Sequence, residues 1–154
     1  MVFFSQKLHR RFFKKLFSSL LLGSRLLFVG SPSEISNNFI QKEIFRSGCL
    51  YADSSYRAKV FLSKINPKNK PSNQVSLTLP SVVLVYDVAA HQEVVAYARE
   101  KSIPVLGIFC GKNAKINVDF PLFLSFSSSQ RVLYYWIILY SLKKFRKAVA
   151  LLKG

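Results

Sequence analysis

The chain has 154 residues and a mass of 17.6 kDa, enough for one ordinary α/β or helical domain and too little for two comfortable ones. Half of its residues are hydrophobic and 19% are charged, which excludes a chain too polar to bury a core. The 23 Lys and Arg against 7 Asp and Glu leave a formal charge of +16, more than an enzyme for small acidic substrates needs and suited to a polyanion or an anionic surface.

The first 22 residues predict a basic amphipathic helix. Lys7, Arg10, Arg11, Lys14 and Lys15 stack on one side, while Leu8, Phe12, Leu16 and Leu20 recur every four residues on the other. Such a helix can pack on a domain as a solvated surface element, dock on nucleic-acid phosphates, or serve as an Arg- and Ser-rich transit peptide. We read it as a retained helix. A peripheral membrane helix is a further alternative for the same segment.

Arg25-Leu26-Leu27-Phe28-Val29-Gly30 then predicts a short buried parallel strand ended by glycine. A helix is expected next, with Ser31 as N-cap, Pro32 at the first helical position, Glu34 three residues after the cap and Gly48 as C-cap. Cys49-Leu50-Tyr51 predicts a brief second strand, and residues 56–63 a helical turn or two. Residues 64–79, with Pro67, Pro71 and the bases Lys68 and Lys70, read as a loop or tether. A strand over 82–86 ending at Asp87 follows, then a helix over 90–101 with Val94, Val95 and Ala98 inward. Further strands are expected at 105–109 and near 122–125, separated by a loop, and Ser127-Ser128-Ser129 introduces a long C-terminal helix.

This alternation of apolar strands and helices predicts a flavodoxin-like, doubly wound, five-stranded parallel sheet in one α/β domain over 1–154. Helices are expected on both faces, with basic helices at the two termini. The uncharged run from Val132 to Leu142, at about 1.5 Å per residue, covers roughly half a bilayer core, so no membrane span is expected. The stretch at 17–22 is likewise too short and too rich in serine for a secretory signal.

The charge is concentrated at the ends. Residues 1–25 hold six bases and no acid, as do residues 120–154, whereas the middle holds eleven bases and all seven acids. The C-terminal cluster is Lys143, Lys144, Arg146 and Lys147. Catalytic devices are scarcer. Asp87, His91 and Cys110 fall at neighbouring strand ends and could in principle form a nucleophilic triad. The alternative is that Asp87 caps a helix, His91 lies in its exposed first turn and Cys110 is a buried small hydrophobe. Phosphoryl chemistry at Asp87 would need further carboxylates for Mg²⁺ and a strand-end lysine, which are missing. Gly30-Ser31-Pro32-Ser33 is no phosphate cradle. His9, His91, Cys49 and Cys110 include no ligand pair close in sequence, so neither a metal nor another cofactor is expected. Tyr134-Tyr135-Trp136 fits core packing, or a platform for stacked bases.

Several segments resemble the bacterial-type small-subunit ribosomal protein S-two family. Residues 23–31 are similar to its "GGKILFVGT" segment, and residues 40–51, with Glu43, Gly48 and Tyr51, to the helix and strand that follow. Residues 80–108, "PSVVLVYDVAAHQEVVAYAREKSIPVLGI", align without gaps on "PDALFVIDPRHEHIAVKEARKLGIPVVAI". Asp87, His91, Ala98, Arg99, Ile103, Pro104 and Val105 fall on characteristic positions, and Asp119-Phe120-Pro121 resembles "DYP". The likeness covers roughly 23–150. It departs at Ser54-Ser55-Tyr56-Arg57, at Cys110-Gly111-Lys112 and around 124–128, and the family's coiled-coil hairpin is reduced to the loop at 64–79.

The resemblance implies a non-enzymatic structural constituent of the small ribosomal subunit. It would bind small-subunit ribosomal RNA and neighbouring ribosomal proteins in translation, with no membrane and no small-molecule substrate. Loss of acids and of the hairpin, with gain of basic ends, points to a divergent mitochondrial ribosome. The residues expected on RNA are Lys7, Arg10, Arg11, Lys14, Lys15, Lys68, Lys70, Lys143, Lys144, Arg146 and Lys147. The competing expectation is a flavodoxin-like nucleotide-binding or hydrolytic enzyme using Asp87, His91 and Cys110.

Overall fold

Short apolar runs become strands here because both of their faces are covered. A computed structural model describes residues 2–22, 25–63, 80–110, 117–124 and 128–153. In it β1 (Leu26–Val29), β2 (Leu50–Ala52), β3 (Val82–Tyr86), β4 (Val105–Phe109) and β5 (Phe120–Phe123) form one parallel sheet in the order β2-β1-β3-β4-β5. This is the doubly wound, flavodoxin-like arrangement, and every residue of β1, β3 and β4 is buried.

Alternation along each strand feeds two separate cores. Leu26, Phe28, Leu84, Leu106 and Leu122 point to one face, where α1 (Val2–Leu21), α2 (Asn37–Arg46) and α5 (Ser128–Lys153) cover them. Leu27, Val29, Val83, Val85 and Val105 point to the other, under α3 (Ser55–Ser63) and α4 (Gln92–Glu100). Gly107 lies on this second face. A Cβ there would stand 2.7 Å from Val88 Cγ2 and 2.9 Å from Val118 Cγ1, so the missing side chain lets both valines reach the sheet.

The first helix is built into the core. Phe12 and Leu16 are fully buried and Leu20 nearly so, and burying side chains of this size contributes about 1.5–3 kcal/mol each. Ser19, buried with them, donates its hydroxyl to the Lys15 carbonyl at 2.7 Å and so leaves no unmet polar group.

Three elements differ from the sequence expectation. The helix expected from Ser31 starts at Asn37, with Ser36 at the N-cap position. Residues 31–35 instead form a turn in which the Ile35 N–H donates to the Pro32 carbonyl at 3.2 Å, and burial of Pro32 and Ile35 in that turn outweighs early helix formation. Gly48 follows the C-cap Ser47 with φ +78°, a conformation that glycine adopts without strain. The helix expected over 90–101 opens with a 3₁₀ turn at Val88–His91 before α4. The last strand lies two residues earlier than expected and includes Pro121, which is tolerated because β5 is an edge. The Asp119 carboxylate accepts from the Val105 N–H at 2.9 Å, which helps set where β5 begins. The loop at 64–79, with Lys68 and Lys70, lies outside the described residues, as do 111–116 and 125–127.

Candidate nucleic-acid interface

The two basic termini, far apart in sequence, meet on one face of the sheet. His9 Nε2 and the Tyr134 hydroxyl are 2.8 Å apart and join α1 to α5. At the other end of α5, Arg146 reaches Glu43 Oε2 at 3.9 Å and Ser47 Oγ at 3.4 Å, joining it to α2. The helices α1, α2 and α5 together carry thirteen bases and one acid, Glu43. Those on the opposite face, α3 and α4, carry Arg57, Lys59 and Arg99 against Glu93 and Glu100.

On α1 the helical spacing places Lys7, Arg10, Arg11 and Lys14 in solvent, and among the described residues none of the four meets an acid. Lys15 is half-buried, its ammonium 5.7 Å from the Phe120 ring centroid, so part of its charge is spent on holding α1 against β5. On α5, Lys143, Lys144 and Lys147 are exposed, and Lys144 stands 5.5 Å over the Tyr140 ring. Arg146 differs from its neighbours: it is half-buried and paired with Glu43, which gives it a bracing role that the sequence reading did not foresee. The separation of 99 positions between Arg146 and Ser47 explains why no local pattern revealed it.

The balanced face pairs its charges. Lys59 Nζ donates to Glu93 Oε2 at 2.6 Å and holds that carboxyl below its ordinary range. Arg57 lies 3.6 Å from Asp53, and Arg99 lies 4.0 Å from Asp119 while donating to the Asn117 carbonyl at 2.7 Å.

A cleft of about 490 Å³ opens at the carboxyl ends of β1, β2 and β3, where strand order reverses. Its lining includes Gly30, Ser31, Asn37, Asp53, Asp87 and His91. Asp87 stands at the head of the 3₁₀ turn in the left-handed region, φ +62°, and accepts the Ala90 N–H through its backbone carbonyl at 3.0 Å. Its side chain makes no capping bond, contrary to the capping alternative. His91 is half-buried at the start of α4, not exposed in a first turn. Its Nδ1 is 2.8 Å from Ser55 Oγ, and burial lowers its pKa against the opposing pull of Asp87. Gly30, φ +77°, leaves room for that ring, since a Cβ there would lie 2.8 Å from His91 Nε2.

Cys110 is buried beside Tyr86 and outside the lining of the cleft, and burial pushes its thiol pKa up. Burial raises Cys49 further, to about 11. Both are therefore protonated thiols at neutral pH, which weakens the nucleophile a triad would need. Ser55 also lies outside the cleft lining, so its bond to His91 braces α3 against the turn and puts no hydroxyl before a ligand. On the other wall, Tyr51 donates to Asn37 Oδ1 at 2.8 Å and shares a 2.9 Å contact with Ser31, locking the turn before α2.

The aromatic run divides three ways. Tyr135 is buried and donates to the Gly30 carbonyl at 3.2 Å, Tyr134 meets His9, and Trp136 leans on Phe39 with ring centroids 5.2 Å apart. Among the described residues no group of three His, Cys, Asp or Glu is placed to hold a metal ion, and no helix is long and apolar enough to cross a membrane. No protein-family model matches the chain, and neither does any curated protein sequence.

Proposed function

We propose that the chain is a structural constituent of the small subunit of a mitochondrial ribosome, bound to its ribosomal RNA. The observation that carries this reading is the charge asymmetry across the sheet: thirteen bases and one acid on the helices of one face, near balance on the other. In this reading Lys7, Arg10, Arg11 and Lys14 on α1 and Lys143, Lys144 and Lys147 on α5 neutralise phosphates and release counterions. Lys15 and Arg146 divide their charge between RNA and the fold. The sheet is the rigid element that keeps the two basic helices in register. The likeness of residues 80–108 to ribosomal protein S-two supplies the ribosomal setting; the parallel sheet order is shared with the second reading below and favours neither.

The test is sedimentation of a tagged copy through a sucrose gradient. Co-migration with the small-subunit peak, lost after ribonuclease treatment, is the expected result. Absence from that peak would sink the proposal.

A second reading has the strand-end cleft in its favour. A flavodoxin-like nucleotide-binding or hydrolytic enzyme would use Asp87 and His91 there. Binding of a mononucleotide at low micromolar affinity, insensitive to salt and abolished by Asp87→Asn, would favour it.

A further inference from the structure

The outward side of α5 is apolar where the rest of its face of the sheet is basic. Leu133, Trp136, Ile137 and Tyr140 are exposed at 58%, 43%, 40% and 60%, and their i, i+3, i+4, i+7 spacing makes one continuous stripe. Phe39 of α2, itself exposed, braces Trp136 from the side. Between the two helices a groove of about 190 Å³ runs past Phe39, Trp136 and Tyr140 to Lys143. The stripe ends in Lys143, Lys144 and Lys147, and Lys42 lies on the neighbouring helix. The acid beside it, Glu43, is already held by Arg46 and Arg146.

RNA is a poor occupant for this surface. From Val132 to Leu142 the helix has no charged residue, which is about 16 Å of length. A duplex strand offers a phosphate about every 3.4 Å, so a polyanion along the stripe would go uncompensated throughout. Trp136 and Tyr140 could stack on bases, but Leu133 and Ile137 offer no π-face between them. Apolar anchors at helical spacing beside a groove, with charge gathered at one end, are the pattern by which one protein segment seats on another.

We propose that the α2–α5 groove docks an amphipathic segment of a partner protein. Its apolar residues cover Trp136, Ile137 and Tyr140, and its acidic residues pair with Lys143, Lys144, Lys147 and Lys42. The inference narrows the RNA-bound reading: it leaves phosphate contact to α1 and gives Lys143, Lys144 and Lys147 to the partner protein, and the docking chemistry stands apart from that reading. The same face then divides its work, with α1 on phosphate and the outer side of α5 on protein.

Trp136 is the single tryptophan of the chain and reports on the groove directly. The full-length protein is titrated with a 20-residue helical peptide bearing Leu at i, i+3, i+4, i+7 and Glu elsewhere. A matched peptide with Lys for Glu and a 20-nucleotide oligouridine are the other arms. The acidic peptide is expected to blue-shift Trp136 emission to saturation, and the Lys peptide to leave it unchanged. Ile137→Asp and Tyr140→Glu, both at exposed positions and both checked for native circular dichroism, are expected to weaken the peptide at least tenfold. Affinity for oligouridine should stay within about twofold. No shift with the acidic peptide, or a shift that survives both substitutions, overturns the docking proposal. So does quenching by oligouridine that the substitutions abolish, which assigns the stripe to RNA. Failure of the wild-type chain to bind oligouridine at all would count against the RNA-bound reading while the peptide result stood.

Discussion

The two faces of the sheet solve the same packing problem with opposite electrostatics. On the outer side of α3 and α4 the charges are few, and Lys59 pairs with Glu93, Arg57 with Asp53 and Arg99 with Asp119. Beneath α1, α2 and α5 the apolar side is equally well buried, yet bases outnumber acids thirteen to one. The balanced face shows that this fold closes without surplus charge. The surplus on the other face costs self-repulsion in the free chain, a cost that the proposed contact with RNA phosphates would relieve.

Charge neutralisation should break that comparison most visibly. Replacing Lys7, Arg10, Arg11 and Lys14 by Gln should make the salt dependence of oligoribonucleotide binding shallower by about three log–log units, since each phosphate contact on a single strand contributes about 0.7. The same change at Arg57, Lys59 and Arg99 should shift that slope by less than about one. Equal effects from the two faces would remove the basis of the functional reading.

The packing claim can be sharpened next. Phe12→Ala should destabilise the chain by about 3–5 kcal/mol, read from the urea midpoint, because α1 belongs to the core. A cost under about 1 kcal/mol would make α1 an appended arm and leave its cations loosely placed. On the balanced face, Gly107→Ala should cost about 1–3 kcal/mol, since the added methyl meets Val88 and Val118 below 3 Å.

The smallest expected effect is a pH slope. Burial lowers the His91 pKa below its ordinary 6.5, so the unfolded chain binds more protons near that pH. The stabilising contribution is therefore complete above about pH 6.5 and declines as pH falls through the folded-state value. His91→Gln should flatten the fall in urea midpoint between pH 7 and pH 5, whatever it does to absolute stability. The depressed Glu93 carboxyl acts in a lower window, below its ordinary 4.5, so the two are separable. An unchanged slope in His91→Gln would place the pH dependence elsewhere.

Much of the fold was legible along the chain because its signals are local. The strands at 82–86 and 105–109 are runs of β-branched and large apolar residues, interrupted by Gly107, that suit burial on both faces. The four-residue spacing of Phe12, Leu16 and Leu20 foretold which side of α1 is buried. The start of α2 was misplaced because Ser31 and Pro32 imitate a helix N-terminus, whereas burial of Ile35 and the bond from Ser31 to Tyr51 hold that stretch as a turn. The candidate site was less legible. The basic side of α1 was foreseen at Lys7, Arg10, Arg11, Lys14 and Lys15, but the half-burial of Lys15, the bracing role of Arg146 and the bond between Ser55 and His91 were not. The last two join partners 99 and 36 positions apart.

What the sequence determined by itself was the sign and amount of charge, the apolar periods and hence the fold class, because these depend on residue identity at short spacing. What the tertiary structure decided was adjacency. It brought the two basic ends, more than a hundred residues apart, onto one face and left the charges of the other matched. It also turned Trp136 and Tyr140 outward while Tyr135 went in. Helical spacing narrows the choice of which side is buried, but which residues of an aromatic run meet solvent depends on what the neighbouring helices cover.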